Sequence, residues 1–113
     1  MREYDNLLDD LKFIDRIAGH MLPDSNIELY LIGASACILG GYLERATRDF
    51  DIIDIGYNSV VGKIFGYLQP YDLLDVSNAE IPKNFKTRAK LLDIFSNIKV
   101  YVLCREDIVA SKI

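Results

Sequence analysis

Residues 49–55 read Asp49-Phe50-Asp51-Ile52-Ile53-Asp54-Ile55, and no other stretch restricts the fold of this chain so tightly. Acid and apolar side chains alternate at a period of two through Ile52. A strand over this run therefore turns Asp49 and Asp51 to one face and Phe50 and Ile52 to the other. A strand with an oily face needs a core to cover it, and 113 residues are enough for one such core and too few for two. The acids set a second condition. Two carboxylates at i and i+2 on one strand face stand about 6–7 Å apart. That spacing suits a divalent cation bridging them, and it opposes folding where the pair is buried without one. The pair belongs at a wet strand end, either as an exposed acidic rim or as a cation site.

The rest of the chain supplies elements to build around that strand. Leu7, Leu11, Ile14, Ala18 and Met21 recur at steps of four and three, with Leu8 and Ile17 widening the stripe. This predicts an amphipathic helix over residues 5–19, stopped by Gly19 and the Leu22-Pro23 bond. Residues 27–32 read as a mostly buried strand that runs straight into Gly33-Ala34-Ser35-Ala36, and residues 34–40 as a short helix ended by Gly40-Gly41. After the acidic strand, Asn58 or Ser59 caps a helix to residue 68, before Pro70. Residues 72–76 are a third strand candidate, and 77–86 the most loop-like stretch. Residues 90–95 and 98–103 read as a hairpin, the first half of which is also compatible with a helix, and a last helical pattern runs from 107 to 113.

Charge and cysteine usage exclude several function classes. Seventeen acidic against thirteen basic side chains give a formal charge of −4, so attraction of the whole surface to nucleic acid or anionic lipid is not expected. Cys37 and Cys104 lie far apart in apolar runs, without the paired spacing of a zinc site, and read as buried reduced thiols. No signal-peptide core follows Met1-Arg2-Glu3-Tyr4-Asp5 and no apolar run is long enough to span a bilayer, so a cytoplasmic location with no membrane partner is expected.

Three features gather around the acid pair in sequence. Gly33-Ala34-Ser35 opens a helix directly after a strand, where backbone N–H groups and a hydroxyl can meet a phosphate; for Ser35 a plain helix cap is the structural alternative. Arg45 and Thr47 lie in the loop before Asp49, where a guanidinium can grip phosphate oxygens bidentately or pair with Glu44 or Asp49. Lys83, Lys86, Arg88 and Lys90 form a basic cluster, either a solvated loop and strand edge or a guide for a tRNA or nucleotide acceptor. His20, the single histidine, ends the first helix and reads as a cap or surface residue.

The run Leu31-Ile32-Gly33-Ala34-Ser35-Ala36, followed by Arg45-Ala46-Thr47-Arg48-Asp49-Phe50-Asp51-Ile52-Ile53, resembles the nucleotidyltransferase superfamily with the polymerase-β-like fold. Its Arg-x-Thr-x-Asp-x-Asp form is similar to that of a small bacterial branch with toxin-type members. A second block agrees in order with that branch: Ile81-Pro82-Lys83-Asn84-Phe85-Lys86-Thr87-Arg88, then Val100-Tyr101-Val102-Leu103, Glu106-Asp107-Ile108 and Ser111-Lys112-Ile113. Together the blocks span residues 27–113.

The resemblance implies an α+β fold, a small mixed sheet flanked by the helices at 5–19 and 59–68. It implies Mg²⁺, with Mn²⁺ as a substitute, and transfer of an NMP group from an NTP to a hydroxyl acceptor: a protein, a tRNA or a small molecule. Asp49 and Asp51 would hold the metal, and Asp75 would be the third catalytic carboxylate with Asp93 as the fallback. Gly33, Ser35, Arg45, Thr47 and Lys112 would bind the nucleotide. A homo-oligomer is compatible with this picture. Two departures stand out. Gly33-Ala34-Ser35 replaces the commoner Gly-Gly or Gly-Ser pair, and the helix carrying the equivalent of Lys112 usually continues into an Arg-x-x-x-Asp segment. They lead to the expectation of an N-terminal fragment or a minimal version of the domain. They also keep two alternatives open, a non-catalytic binding module and an antitoxin-like interaction domain.

Overall fold

The computed structural model describes residues 3–24, 26–43 and 46–111. The first helix, α1 (Tyr4–Met21), buries Leu7, Leu11, Ile14 and Ala18, the stripe that the 4-3-4 spacing predicts. Glu3 is its N-cap, and the Asn6 side chain accepts the Glu3 N–H at 3.1 Å in a capping box. Strand β1 (Ile27–Ile32) leads without a loop into α2 (Gly33–Leu39). The acidic strand is β2 (Phe50–Ile53), shorter than the expected 49–55: the Asp54 N–H still donates to the Leu74 carbonyl at 2.9 Å, and its carboxylate accepts the Gly56 N–H at 2.9 Å in the turn that follows. The expected helix over 59–68 is α3 (Ser59–Phe65) followed by a 3₁₀ turn, Gly66–Leu68; Asn58 caps it by accepting the Val61 N–H at 2.9 Å.

Strand β3 spans Tyr71–Leu74, a small helix α4 Phe85–Arg88, β4 Lys90–Leu92, β5 Ile98–Val102 and the last helix α5 Arg105–Ala110. The five strands form one sheet in the order β3-β2-β1-β5-β4. Strand β1 is antiparallel to β2 and parallel to β5, β2 is parallel to β3, and β4 closes the far side antiparallel to β5. The mixed α+β architecture is the one expected. Residues 90–95 resolve to a strand with a turn, not a helix, and α5 begins two residues before the expected 107.

Side-chain alternation divides the sheet into two faces. On one, Leu29, Leu31, Phe50, Ile52, Val100 and Val102 pack against α1, α2 and α3. On the other, Tyr30, Ile32, Ile53 and Leu103 lie under Ala79, Ile81 and Phe85, so the loop-like stretch is the cover of the second face. Arg88 fixes that cover: its Nε donates to Asp107 Oδ2 at 2.8 Å, and its Nη2 to Asp107 Oδ1 at 3.1 Å and to the Lys83 carbonyl at 2.7 Å. Asp107 is 5% exposed and is held by this fork. On the first face α1 is tied down by Asp15, whose carboxylate accepts the backbone N–H groups of Ser96, Asn97 and Ile98 at 2.6–3.0 Å. The Asn97 side chain returns a bond to the Asp15 carbonyl at 3.0 Å. No helix among the described residues is long and apolar enough to cross a membrane.

Candidate functional site

Asp51 stands where three elements meet. In β2 it shares the face of Ile53, away from α1, and in register it lies opposite Ile32, the last residue of β1. Gly33, the next residue, has φ +72°, and a Cβ built on it would run into the Asp51 carboxylate. The glycine is thus required twice, for a left-handed backbone and for the closeness of the acid. A Gly33→Ala variant is expected to lose about 2 kcal/mol of stability. Urea unfolding checks this, with part of the loss recovered when Asp51→Ala is added, since the collision then disappears.

The neighbour on the other side is Asp72. Strands β2 and β3 run parallel with Asp51 opposite Asp72, which lays the two carboxylates side by side on one face. Burial pushes Asp51 up to about 6, and the negative charges of Asp72 and then Asp49 push it the same way. Asp49 precedes the strand, half-buried, with the Thr47 hydroxyl 3.5 Å from its carbonyl oxygen. Asp49, Asp51 and Asp72 therefore make an acidic site on strands β2 and β3, facing the side covered by residues 77–89. A cavity of about 550 Å³ opens elsewhere, between the start of α1 and Ile38, Gly41, Leu43 and Ala46, and none of the three acids lines it.

The remaining residues singled out in the sequence fall into three groups. Asp75, expected as the third carboxylate, lies one residue past β3, where its Oδ1 accepts the N–H groups of Ser77 and Asn78 at 2.8 and 3.1 Å and shapes the turn. Asp93 is exposed in the turn after β4, three strands away from β2 in the sheet. The acid that the register brings to Asp51 is Asp72, which the sequence reading passed over; its place at the start of the strand candidate over 72–76 was the available signal. Ser35 is fully buried and its hydroxyl donates to the Ile32 carbonyl at 3.3 Å, so it ties the helix start to the strand instead of facing a ligand. Arg45 and Lys112 lie outside the described residues.

Do these acids suit a divalent cation? Among the described residues no three Asp, Glu, His or Cys side chains converge closely enough to hold a metal by themselves. Mg²⁺ does not require that: it prefers hard oxygen donors, keeps several waters, and is commonly held by one or two carboxylates together with substrate phosphates. A pair of acids with a third beside it, one of them pushed toward protonation by burial and then by its neighbours, is a donor set of that kind.

The chain was compared with known proteins. The model of a family described as nucleotidyltransferase of unknown function (DUF6036) matches residues 9–113. No curated protein and no solved structure matched it.

Proposed function

Because the chain belongs to that family of nucleotidyltransferases, we propose that it transfers an NMP group from an NTP to a hydroxyl acceptor, at the site made by Asp49, Asp51 and Asp72. The observation that carries the reading is the meeting of Asp51 with Asp72 and Gly33 on one face of the sheet. Asp49 and Asp51 would hold Mg²⁺, which when bound shields the phosphates and polarises the α-phosphorus toward attack.

The chain's own residues then have distinct tasks. The tight turn at Gly33 lets the Asp51 carboxylate come close to the backbone at the start of α2. Asp72, on the neighbouring strand, accepts the proton of the acceptor hydroxyl as its oxygen bonds to the α-phosphorus and the bond to the pyrophosphate breaks. Asp72 thus takes the role that the sequence reading gave to Asp75, whose carboxylate already serves its turn. Asp51 contributes an ionised oxygen only at the expense of burial and of crowding with Asp72 and Asp49, which a cation would relieve.

One observation favours a second reading, a binding module without turnover: the buried, inward-bonded Ser35 leaves the turn without its expected hydroxyl. One experiment separates the two. The protein is incubated with α-labelled ATP, CTP, GTP or UTP, Mg²⁺ and a cell extract, beside the Asp49→Asn/Asp51→Asn variant. Transfer predicts label in a macromolecular or small-molecule acceptor, reduced about a hundredfold or more in the variant. Magnesium-dependent thermal stabilisation by a nucleotide without any incorporation would instead establish the silent binder.

A further inference from the structure

We propose that residues 75–89 form a strap that lifts off the sheet as one unit when the Arg88–Asp107 fork parts, and that lifting it uncovers the face beside the acidic site. The segment leaves the sheet at the end of β3, crosses the second face and rejoins the sheet at β4. Its apolar underside is small. Ala79, Ile81 and Phe85 are its buried side chains, and they pack with Tyr30, Ile32, Ile53 and Leu103 in a cluster separate from the core between the sheet and α1, α2 and α3. Three side chains of this cluster are neighbours of the acids. Ile32 is the register partner of Asp51, Ile53 follows Asp51 two residues along the same face, and Leu74 follows Asp72 in the same way. The strap therefore ends where the carboxylates begin, and lifting it opens their flank to molecules from solution.

The segment differs from the rest of the fold in what holds it. Its backbone bonds close local turns: the N–H groups of Ala79, Ile81, Thr87 and Ala89 donate to the carbonyls of Asp75, Val76, Asn84 and Phe85 at 3.0–3.1 Å. Turns this short do not persist without the packing beneath them, so they are lost together once the segment lifts. Glu80 and Asn84 lie in the left-handed region at φ +50° and +61°, a cost for residues other than glycine that the closed packing has to offset. Phe85, edge-on to Tyr30 at 5.5 Å, and Lys86, whose ammonium stands 5.5 Å from the same ring centroid, hold the middle of the strap. The strong tether is Arg88, which grips both oxygens of Asp107 and ties itself to the Lys83 carbonyl. The Arg88 side chain is 41% exposed and that of Asp107 7%, so the pair straddles the boundary with water. Closed, the fork satisfies a nearly buried charge; open, both groups are hydrated, and neither is left buried and unpaired. The fork is thus a latch.

Hydrogen exchange followed by NMR on the intact protein, at rising urea below the unfolding midpoint, tests the strap. The Ala79, Ile81 and Ala89 amides are expected to exchange about tenfold or more faster than the protected amides of β1 and β5, with a weaker dependence on urea. Arg88→Lys keeps a positive charge beside Asp107 and loses the fork. It should speed the three strap amides about tenfold and leave β1 and β5 within about twofold. Uncovering of the sheet is read by thiol labelling of Ile53→Cys, under the strap, against Ile52→Cys, equally buried on the α1 side. Peptide mass spectrometry separates the labelled position from Cys37 and Cys104, and thermal unfolding verifies that each variant is folded. Labelling of Ile53→Cys should be about tenfold or more faster than that of Ile52→Cys, and about tenfold faster again when Arg88→Lys is added. Strap amides that exchange at the rate of the sheet, with the same urea dependence, would overturn the proposal. So would an effect of Arg88→Lys spread evenly over strap and sheet, or equal labelling of the two buried positions. No nucleotide enters these measurements, so they decide the strap independently of nucleotidyl transfer.

Discussion

Asp15→Ala is expected to destabilise the protein by about 3 kcal/mol, more than most surface substitutions, although the residue lies on the flank of α1 far from the acidic site. One carboxylate there accepts three consecutive backbone N–H groups, of Ser96, Asn97 and Ile98. Hydrogen bonds to a charged acceptor are each worth about 1.5–3 kcal/mol. Part of that is regained, because the exposed N–H of Ser96 finds water once the carboxylate is gone. The N–H of Ile98 opens the buried strand β5 and has no such replacement nearby. Gly19 belongs to the same clasp: a Cβ there would stand 2.7 Å from Asn97 Nδ2, so a side chain at this position pushes Asn97 off the helix. Asp15→Asn retains one acceptor oxygen and should lose about half as much. Urea unfolding followed by circular dichroism gives both values, with the midpoint shifted and the slope unchanged. A loss below 0.5 kcal/mol for Asp15→Ala would show that the loop holds its place without the clasp.

The clasp also marks what a sequence shows and what it hides. The stripe Leu7-Leu11-Ile14-Ala18 identifies α1 because every partner in the pattern lies within two turns of the next. The alternation around Asp51 identifies β2 for the same reason, and the glycine turn after β1 follows from residues adjacent in the chain. Asp15 reaches across more than eighty residues to its partners, and nothing local distinguishes it from Asp9 or Asp10 on the same helix. The third carboxylate is a case of the same kind. Asp72 and Asp75 both lie in or beside a short strand with similar neighbours, and only the parallel register between β2 and β3 decides which of them meets Asp51. A strand that ends two residues before the reading of 72–76 suffices to move Asp75 into a turn. The basic cluster behaves likewise: its four residues are close in sequence, yet Arg88 pairs with Asp107 and Lys86 lies over the Tyr30 ring.

Asp51→Asn should make the protein more stable at pH 8 and, on the proposed function, abolish magnesium-dependent transfer. Asp51 is raised from the ordinary aspartate value to about 6, first by burial and then by Asp72 and Asp49. A group whose folded value exceeds its unfolded one favours the folded state below the unfolded value. It loses that contribution as the pH climbs through the folded value. The window here runs from about pH 4 to about pH 6, and above it the ionised carboxylate works against folding. Asparagine carries no charge to desolvate and does not repel its neighbours. With Asp51 partly exposed, solvent screening reduces the expected gain to about 1 kcal/mol at pH 8, shrinking toward zero at pH 4. Saturating Mg²⁺ should reverse the order, since a cation bound between Asp49 and Asp51 stabilises the unsubstituted protein and finds one ligand missing in the variant. Thermal unfolding of both proteins from pH 4 to pH 8, with and without Mg²⁺, measures these differences. A pH-independent offset that ignores the metal would mean that Asp51 is an ordinary solvated rim acid. A crossing of the two curves on adding Mg²⁺ would tie the cost of crowding these carboxylates to a cation bound between them.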